Sequence, residues 1–250
     1  MNHHLLDYTL RLADTANILS HRLAEWCGHG PILEQDIAMT NISLDLIGQA
    51  RNFYQYAAEI QGEGKTEDDM AYLRDAWDYR NFLLVELPKG NFGTTIMRQF
   101  LFDTFSFYFY NELRNSKDEK LASIAAKSIK EVNYHLRWSS EWVLRLGDGT
   151  SESHEKVQTA LNELWNYTGE MFVMNETDNQ MLAAGIGVNL AKIYTLWQKK
   201  VTDILAQATL TVPKTGWMQS GGKEGKHTEH LGYILTDMQF LQRTYPNSEW

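Results

Sequence analysis

Hydrophobic positions recur at helical spacing along nearly the whole chain, and no stretch shows the strict alternation of a strand. The pattern predicts a first helix over residues 7–27, halted by Gly28, Gly30 and Pro31, and a second over 33–61, ended by Gly62 and Gly64. Two shorter helical pieces, 67–77 and 79–87, precede a turn at Pro88-Lys89-Gly90-Asn91. Long helices follow over 92–115 and 119–146, the latter closed by Gly147-Asp148-Gly149. A helix from 151 or 153 to 174, a short piece near 177–184, a helix over 189–208, a glycine-rich loop and a last helix over 228–245 complete the pattern. Two long helices, an interruption and two more are the layout of a four-helix bundle with a long crossover. No linker or low-complexity stretch divides it, so the expectation is one all-α domain, a bundle with additional helices, over residues 1–250.

Composition strengthens this reading and narrows the function. Only four prolines interrupt 250 residues, which favours long helices. The formal net charge is −9, and the longest basic run is the pair Lys199-Lys200, which argues against general nucleic-acid binding. Cys27 is the single cysteine, so no intrachain disulfide forms and a reducing compartment fits. The first twelve residues carry no apolar signal core. The most apolar run, 100–110, contains Asp103 and is too short to span a bilayer. The expectation is a soluble, cytoplasmic protein with no membrane partner.

The core stripes carry the candidate chemistry. Ferritin-like di-iron bundles draw one carboxylate from each of two helices and a Glu with a His three residues later from each of the other two. Three residues are nearly one helical turn, so both side chains face one metal. Here Glu25 lies at the end of the first long helix. The second has the stripe Met39, Ile42, Leu46, Gln49, Phe53, the third Ile96, Phe100, Asp103, Phe107, and the fourth Ala125, Val132, His135, Ser139, Trp142. Leu46–Gln49 and Val132–His135 keep the Glu–His spacing, but leucine and valine cannot ligate a metal and glutamine is a weak, neutral ligand. Two irons would meet two carboxylates, one imidazole and no bridge, so the expectation is a metal-free core. A plainer reading stands beside it: a lone core Asp or His is commonly a hydrogen-bonded core residue, and Glu131 four residues before His135 suggests a helical ion pair.

Several strings carry a family resemblance. They are Leu23-Ala24-Glu25-Trp26-Cys27-Gly28-His29-Gly30-Pro31, Asn41-Ile42-Ser43-Leu44-Asp45-Leu46-Ile47-Gly48-Gln49-Ala50-Arg51-Asn52-Phe53 and Gly221-Gly222-Lys223-Glu224-Gly225-Lys226-His227-Thr228-Glu229-His230-Leu231-Gly232. The runs Ile129-Lys130-Glu131-Val132-Asn133-Tyr134-His135-Leu136-Arg137 and Met238-Gln239-Phe240-Leu241-Gln242-Arg243 join them. Along essentially its whole length the chain resembles the structural subunits of bacterial phenylacetyl-CoA epoxidases. The resemblance implies a ferritin-like fold and a part in aerobic phenylacetate degradation. A related catalytic subunit would hold the di-iron centre and epoxidise the aromatic ring, with electrons from a flavin and iron–sulfur reductase. This chain would pair with that subunit and scaffold it. In the catalytic relatives the second-helix motif reads Asp-Glu-any-Gly-His, where this chain has Asp45-Leu46-Ile47-Gly48-Gln49. Their fourth-helix motif reads Lys-Glu-Glu-any-any-His, where this chain has Lys130-Glu131-Val132-Asn133-Tyr134-His135. The resemblance thus puts Leu46 and Val132 at the bridging positions and Glu25, Asp103 and His135 at remaining ligand places. It implies no catalytic residue and no cofactor in this chain. The competing readings are a divergent di-iron oxygenase and an iron-binding ferritin-like protein. Glu25, Asp103 and His135 could form a buried hydrogen-bonded cluster.

Other features carry weaker expectations. The run from Ser220 to Thr228 is a near miss for a phosphate loop, with no strand before it and His227 where Ser or Thr belongs. A glycine-rich loop with two lysines before a helix N-terminus still attracts anions. Lys223, Lys226, His227, Glu229 and His230 are therefore candidates for contact with a partner or, less favoured, with CoA. His227 and His230 lack an identifiable third metal ligand. Cys27 is expected to be buried filler. Phe105, Phe107, Tyr108, Phe109 and Tyr110 surround their helix, which suggests burial on more than one face, and a homodimer is possible when the chain is alone.

Overall fold

Glycines and capping side chains divide the chain into ten α-helices in a computed structural model that describes residues 2–214, 216–246 and 248. They are α1 Asn2–Ala24, α2 Leu33–Gln61, α3 Glu67–Tyr72, α4 Leu83–Glu86, α5 Phe92–Leu113, α6 Glu119–Gly147, α7 Ser151–Leu164, α8 Glu176–Ala183, α9 Leu190–Gln207 and α10 Glu229–Thr244. No strand occurs among the described residues, and the all-α class expected from the periodicity holds, consistent with the ferritin-like fold that the resemblance implies. Most helix starts carry a side-chain cap. Thr66 and Asn175 form reciprocal capping boxes, while Asn91, Asp118, Thr150, Asn189 and Thr228 accept first-turn amides. Gly62, with φ of 75°, donates its amide to the Ala58 carbonyl and ends α2 in the left-handed conformation that glycine adopts without strain.

Several boundaries differ from the periodic pattern: the first helix already begins at Asn2 rather than at 7, and the piece expected over 79–87 is helical only over Leu83–Glu86. The first helix stops at Ala24, where the Trp26 and Cys27 amides turn back to Leu23 and Ala24 carbonyls, each at 3.0 Å. That tight turn leaves Cys27 exposed, contrary to its expected burial. The helix expected to reach 174 ends at Leu164 and passes into two 3-10 turns, Trp165–Tyr167 and Gly169–Phe172. There the Thr168 hydroxyl donates to the Trp165 carbonyl, and the Trp165 ring lies 5.7 Å from that of Trp197. The piece expected over 67–77 ends at Tyr72, resumes as a 3-10 turn at Ala76–Asp78, and runs extended through Phe82 before α4.

The backbone gathers into two compact units, where the sequence pattern suggested one domain. Unit 1 comprises Met1–His29, Asp36–Pro88 and Ser220–Trp250, and unit 2 comprises Gly30–Gln35 and Lys89–Gln219. Both are discontinuous, so no linker signal marks their limits. In unit 1, Ile18, Leu19 and Leu23 of α1 and Met39, Ile42 and Phe53 of α2 are fully buried. The Ser43 hydroxyl ties the two helices by donating to the Ser20 carbonyl at 2.8 Å. In unit 2, α5 packs chiefly on α6 and is flanked by α7 and α9. Residues 95–106 are all buried, whereas in the aromatic run Phe105, Phe109 and Tyr110 are buried and Phe107 and Tyr108 half-buried, and Trp197 of α9 donates its indole N–H to the Leu101 carbonyl at 2.8 Å.

Gly48 sits in the interior of α2, exposed, and a Cβ added there would meet nothing within 4 Å. Packing within the chain therefore gives no reason for a residue that lowers helix stability. Gly48→Ala is expected to stabilise the chain by about 0.5–1 kcal/mol, read as a raised urea midpoint at unchanged slope.

Candidate functional site

The carboxylate expected among aromatics is found there, and its partners are local. Asp103 of α5 is 2 % exposed. Its Oδ1 accepts from the Gln99 amide, one turn earlier, at 3.1 Å, and its Oδ2 accepts from the Ser139 hydroxyl of α6 at 2.8 Å. Burial pushes the Asp103 carboxyl up to about 7, while the neighbouring His135 charge and the two donors oppose the rise. His135 is fully buried on the same stripe of α6 as Ser139, one turn on, and Val132, 1 % exposed, stands one turn before it. Unit 2 thus brings Asp103, His135, Ser139 and Val132 together. Gln99 was not anticipated, although its position four residues before a core aspartate was a readable signal.

In unit 1, Leu46 and Gln49 lie on the buried face of α2, 3 % and 2 % exposed. Glu25 falls in the turn after α1. Its side chain is 36 % exposed and pairs with Arg22 at 2.6 Å. It also opposes the lowering that burial imposes on the His21 imidazole. Glu25 is therefore no member of a buried cluster, because α1 ends before reaching it. Among the described residues no three His, Cys, Asp or Glu side chains form a group that could hold a metal ion. Neither Leu46 in unit 1 nor Val132 in unit 2 offers a donor atom to a metal.

The glycine-rich loop performs an internal task. Glu86 of α4 is fully buried. Its Oε1 accepts the Thr228 amide at 2.6 Å, and its Oε2 lies 3.0 Å from both the Asn81 amide nitrogen and His227 Nδ1. His227 Nε2 lies 3.0 Å from the Tyr79 carbonyl. Arg22 closes the cluster by donating to the Glu86 carbonyl at 3.0 and 2.7 Å. Side chains at Gly222 and Gly225 would collide with the Asn81 and Trp77 carbonyls, so the loop must be bare to seat here. Lys223 is 5 % exposed, with its ammonium 5.7 Å from the Phe82 ring centroid. Of the five residues considered for partner or CoA contact, Lys223 and His227 are therefore turned inward by charge and hydrogen-bond partners. Lys226 and Glu229 are exposed, and His230 is half-buried. Glu86→Ala would strand three donors and is expected to cost about 2–3 kcal/mol, measurable by urea denaturation.

A second buried charge sits in unit 1. Asp14 of α1 accepts from the Tyr54 hydroxyl at 2.7 Å, from the Arg80 amide at 2.9 Å and from Arg74 Nη1 at 3.1 Å. Arg74 Nη2 also donates to Asp14 Oδ1, and the guanidinium lies 4.4 Å from the Tyr79 ring centroid. Gln239 of α10 donates to the Arg74 carbonyl at 3.0 Å and to the Tyr79 hydroxyl at 3.2 Å. Burial, with the nearby Asp14 charge, raises the Tyr54 phenol well above its usual value. Asp14 already accepts four donors, so the arrangement suits a structural tie better than a reacting centre. Asp14 was missed, although a carboxylate between Ala13 and Ile18 on an apolar helix marks a buried charge.

Comparison with known proteins places the chain in a family. The model of a family described as phenylacetic acid catabolic protein matches residues 1–250. The chain is 49 % identical over 246 residues to an Escherichia coli (strain K12) protein named as a subunit of 1,2-phenylacetyl-CoA epoxidase, covering 98 % of this chain and 99 % of that one. No helix of the described residues is long and apolar enough to cross a membrane.

Proposed function

The chain belongs to the phenylacetic acid catabolic protein family, and on that premise we propose that it is a non-catalytic subunit of a phenylacetyl-CoA epoxidase. In this reading it holds a separate di-iron catalytic subunit in an active cytoplasmic hetero-oligomer and binds no cofactor itself. The full-length match to a relative named as a subunit of such an epoxidase supports the assembly. The observation that carries the non-catalytic part is the burial of Leu46 and Val132, 3 % and 1 % exposed, on the core stripes where bridging carboxylates would stand.

The physical argument is one of charge. Two buried iron cations need anionic bridges, and an aliphatic side chain leaves that charge uncompensated. Replacing buried charge by apolar volume is often neutral or stabilising. A core relieved of metal ligands can therefore serve as a packed scaffold, with Asp103 retained through hydrogen bonds from Gln99 and Ser139. Ring epoxidation falls to the partner chain, and binding and positioning fall to this one.

The test is metal content and oxygenase activity of the purified chain, alone and mixed with the catalytic subunit. The expected result is no bound iron and no activity alone, with a co-eluting, active mixture. Near-stoichiometric iron that is lost in His135→Ala would overturn the reading.

A further inference from the structure

A cavity of about 210 Å³ lies within unit 1, lined by residues of α1, α2 and α3. Asn17, Ala50, Tyr54 and Ala71 form its buried side. Asn17 is 2 % exposed, and its side chain keeps one polar atom unused. Its Nδ2 donates to the Tyr54 hydroxyl and to Met238 Sδ, each at 3.4 Å. That orientation is forced, because the Tyr54 proton goes to Asp14 at 2.7 Å and a thioether has none to give, so both neighbours can only accept. Asn17 Oδ1 accordingly accepts no side-chain or backbone donor among the described residues. A buried amide oxygen is costly to leave without a donor. The cavity beside it is where a donor from outside the chain can enter.

Charge selects the kind of donor. Water can serve Asn17 Oδ1, but the rim of the cavity favours a cation. Arg51 there is matched by Glu67 at 3.3 Å, and the Gln55 amide also donates to Glu67 at 3.0 Å. Asp68 forms no ion pair among the described residues, so the lining carries a net negative charge. Its influence reaches the half-buried Tyr72, whose phenol is raised above the usual value by burial and then by the Asp68 charge. Tyr72 and Tyr54 add aromatic walls, which suit a cation. An anion would meet the Asp68 carboxylate and find no free donor on Asn17 or Tyr54.

We propose that this cavity binds the head group of an organic cation, an ammonium or a guanidinium, held by Asn17 Oδ1 and by the charge of Asp68. The head supplies the N–H donor that the buried amide lacks, and a charged donor makes the stronger bond. The site stands independently of the subunit reading above, since every residue in it belongs to unit 1 of this chain.

The test titrates the purified full chain with n-butylguanidinium by calorimetry at low ionic strength, beside its neutral analogue butylurea and the anion butyrate. Saturable binding of butylguanidinium is expected, about tenfold tighter than that of butylurea, with none of butyrate. Asp68→Asn lies on the exposed rim and should weaken binding about fivefold with the fold intact. Asn17→Leu should abolish binding, and circular dichroism keeps a failure to fold distinct from a failure to bind. Butylguanidinium that does not saturate, that binds Asp68→Asn as it binds wild type, or that binds no better than butyrate would overturn the proposal. Repeating the titration on the complex with the catalytic subunit identifies the source of the cation. Binding lost on assembly would support a side chain of the partner as the occupant, and binding retained would support a free amine. Probe binding by a chain that fails to co-elute with the catalytic subunit would support the site and overturn the subunit reading alone.

Discussion

Arg74→Met is expected to destabilise the chain by about 3–5 kcal/mol. The substitution removes the positive charge facing Asp14, whose side chain is fully buried beneath Arg74, Tyr54 and the Arg80 amide. The carboxylate then keeps two donors and loses its counter-charge, and it cannot reach water to compensate. Loss of the guanidinium also removes the stacking on Tyr79 and a hydrogen bond to the Asp78 carbonyl. The readout is the urea midpoint, together with a melting temperature lowered by about 10 °C or more. The companion Asp14→Asn/Arg74→Met should recover part of the loss, because the stranded charge rather than the missing contact dominates the penalty. A double variant no more stable than Arg74→Met would contradict that account.

Stability is expected to fall as pH rises from about 4 to about 7, and Asp103 is the source. Its carboxyl is raised from 3.8 to about 7 by burial, so between those values the folded chain keeps a proton that the unfolded chain has released. The contribution is complete below the unfolded value and is lost progressively until pH passes the folded one. One pH unit corresponds to about 1.4 kcal/mol, so this group contributes roughly 4 kcal/mol over the window. Nearby His135 and the hydrogen bonds from Ser139 and Gln99 oppose the rise that burial imposes. Asp103→Asn keeps the volume and an acceptor for Ser139 while removing the titration. It should flatten the slope of unfolding free energy between pH 4 and 7 and raise stability at pH 8. An unchanged slope would place the titrating group elsewhere.

Much of the architecture was legible because its causes are local. Residues 33–61 form one helix, as the pattern required, since helical period, a following Gly62 and the absence of proline act within a few residues. Helices ended early where side chains competed for backbone partners. Thr168 draws the chain into 3-10 turns at Trp165, and the aromatic periodicity of that segment gave no sign of it. Leu46, Gln49, Val132 and His135 were all placed correctly on buried faces, because a stripe three and four residues apart must share a side of a helix.

Charge is where the chain had to be folded to be read. Lys223 and His227 have the composition of a surface contact, yet Phe82, Glu86 and Tyr79, some 140 residues earlier, hold them inward. Glu86 and Asp14 look like ordinary helical acids in sequence, and only the meeting of distant segments makes them buried hubs. The sequence by itself determined the long helices, the family resemblance and the aliphatic residues Leu46 and Val132 on the core stripes, because each depends on residue type and spacing within a turn or two. The tertiary structure alone decided which charges are buried and which partners neutralise them, because compensating a buried charge needs a donor close by in space, and the chain brings that donor from far along its length.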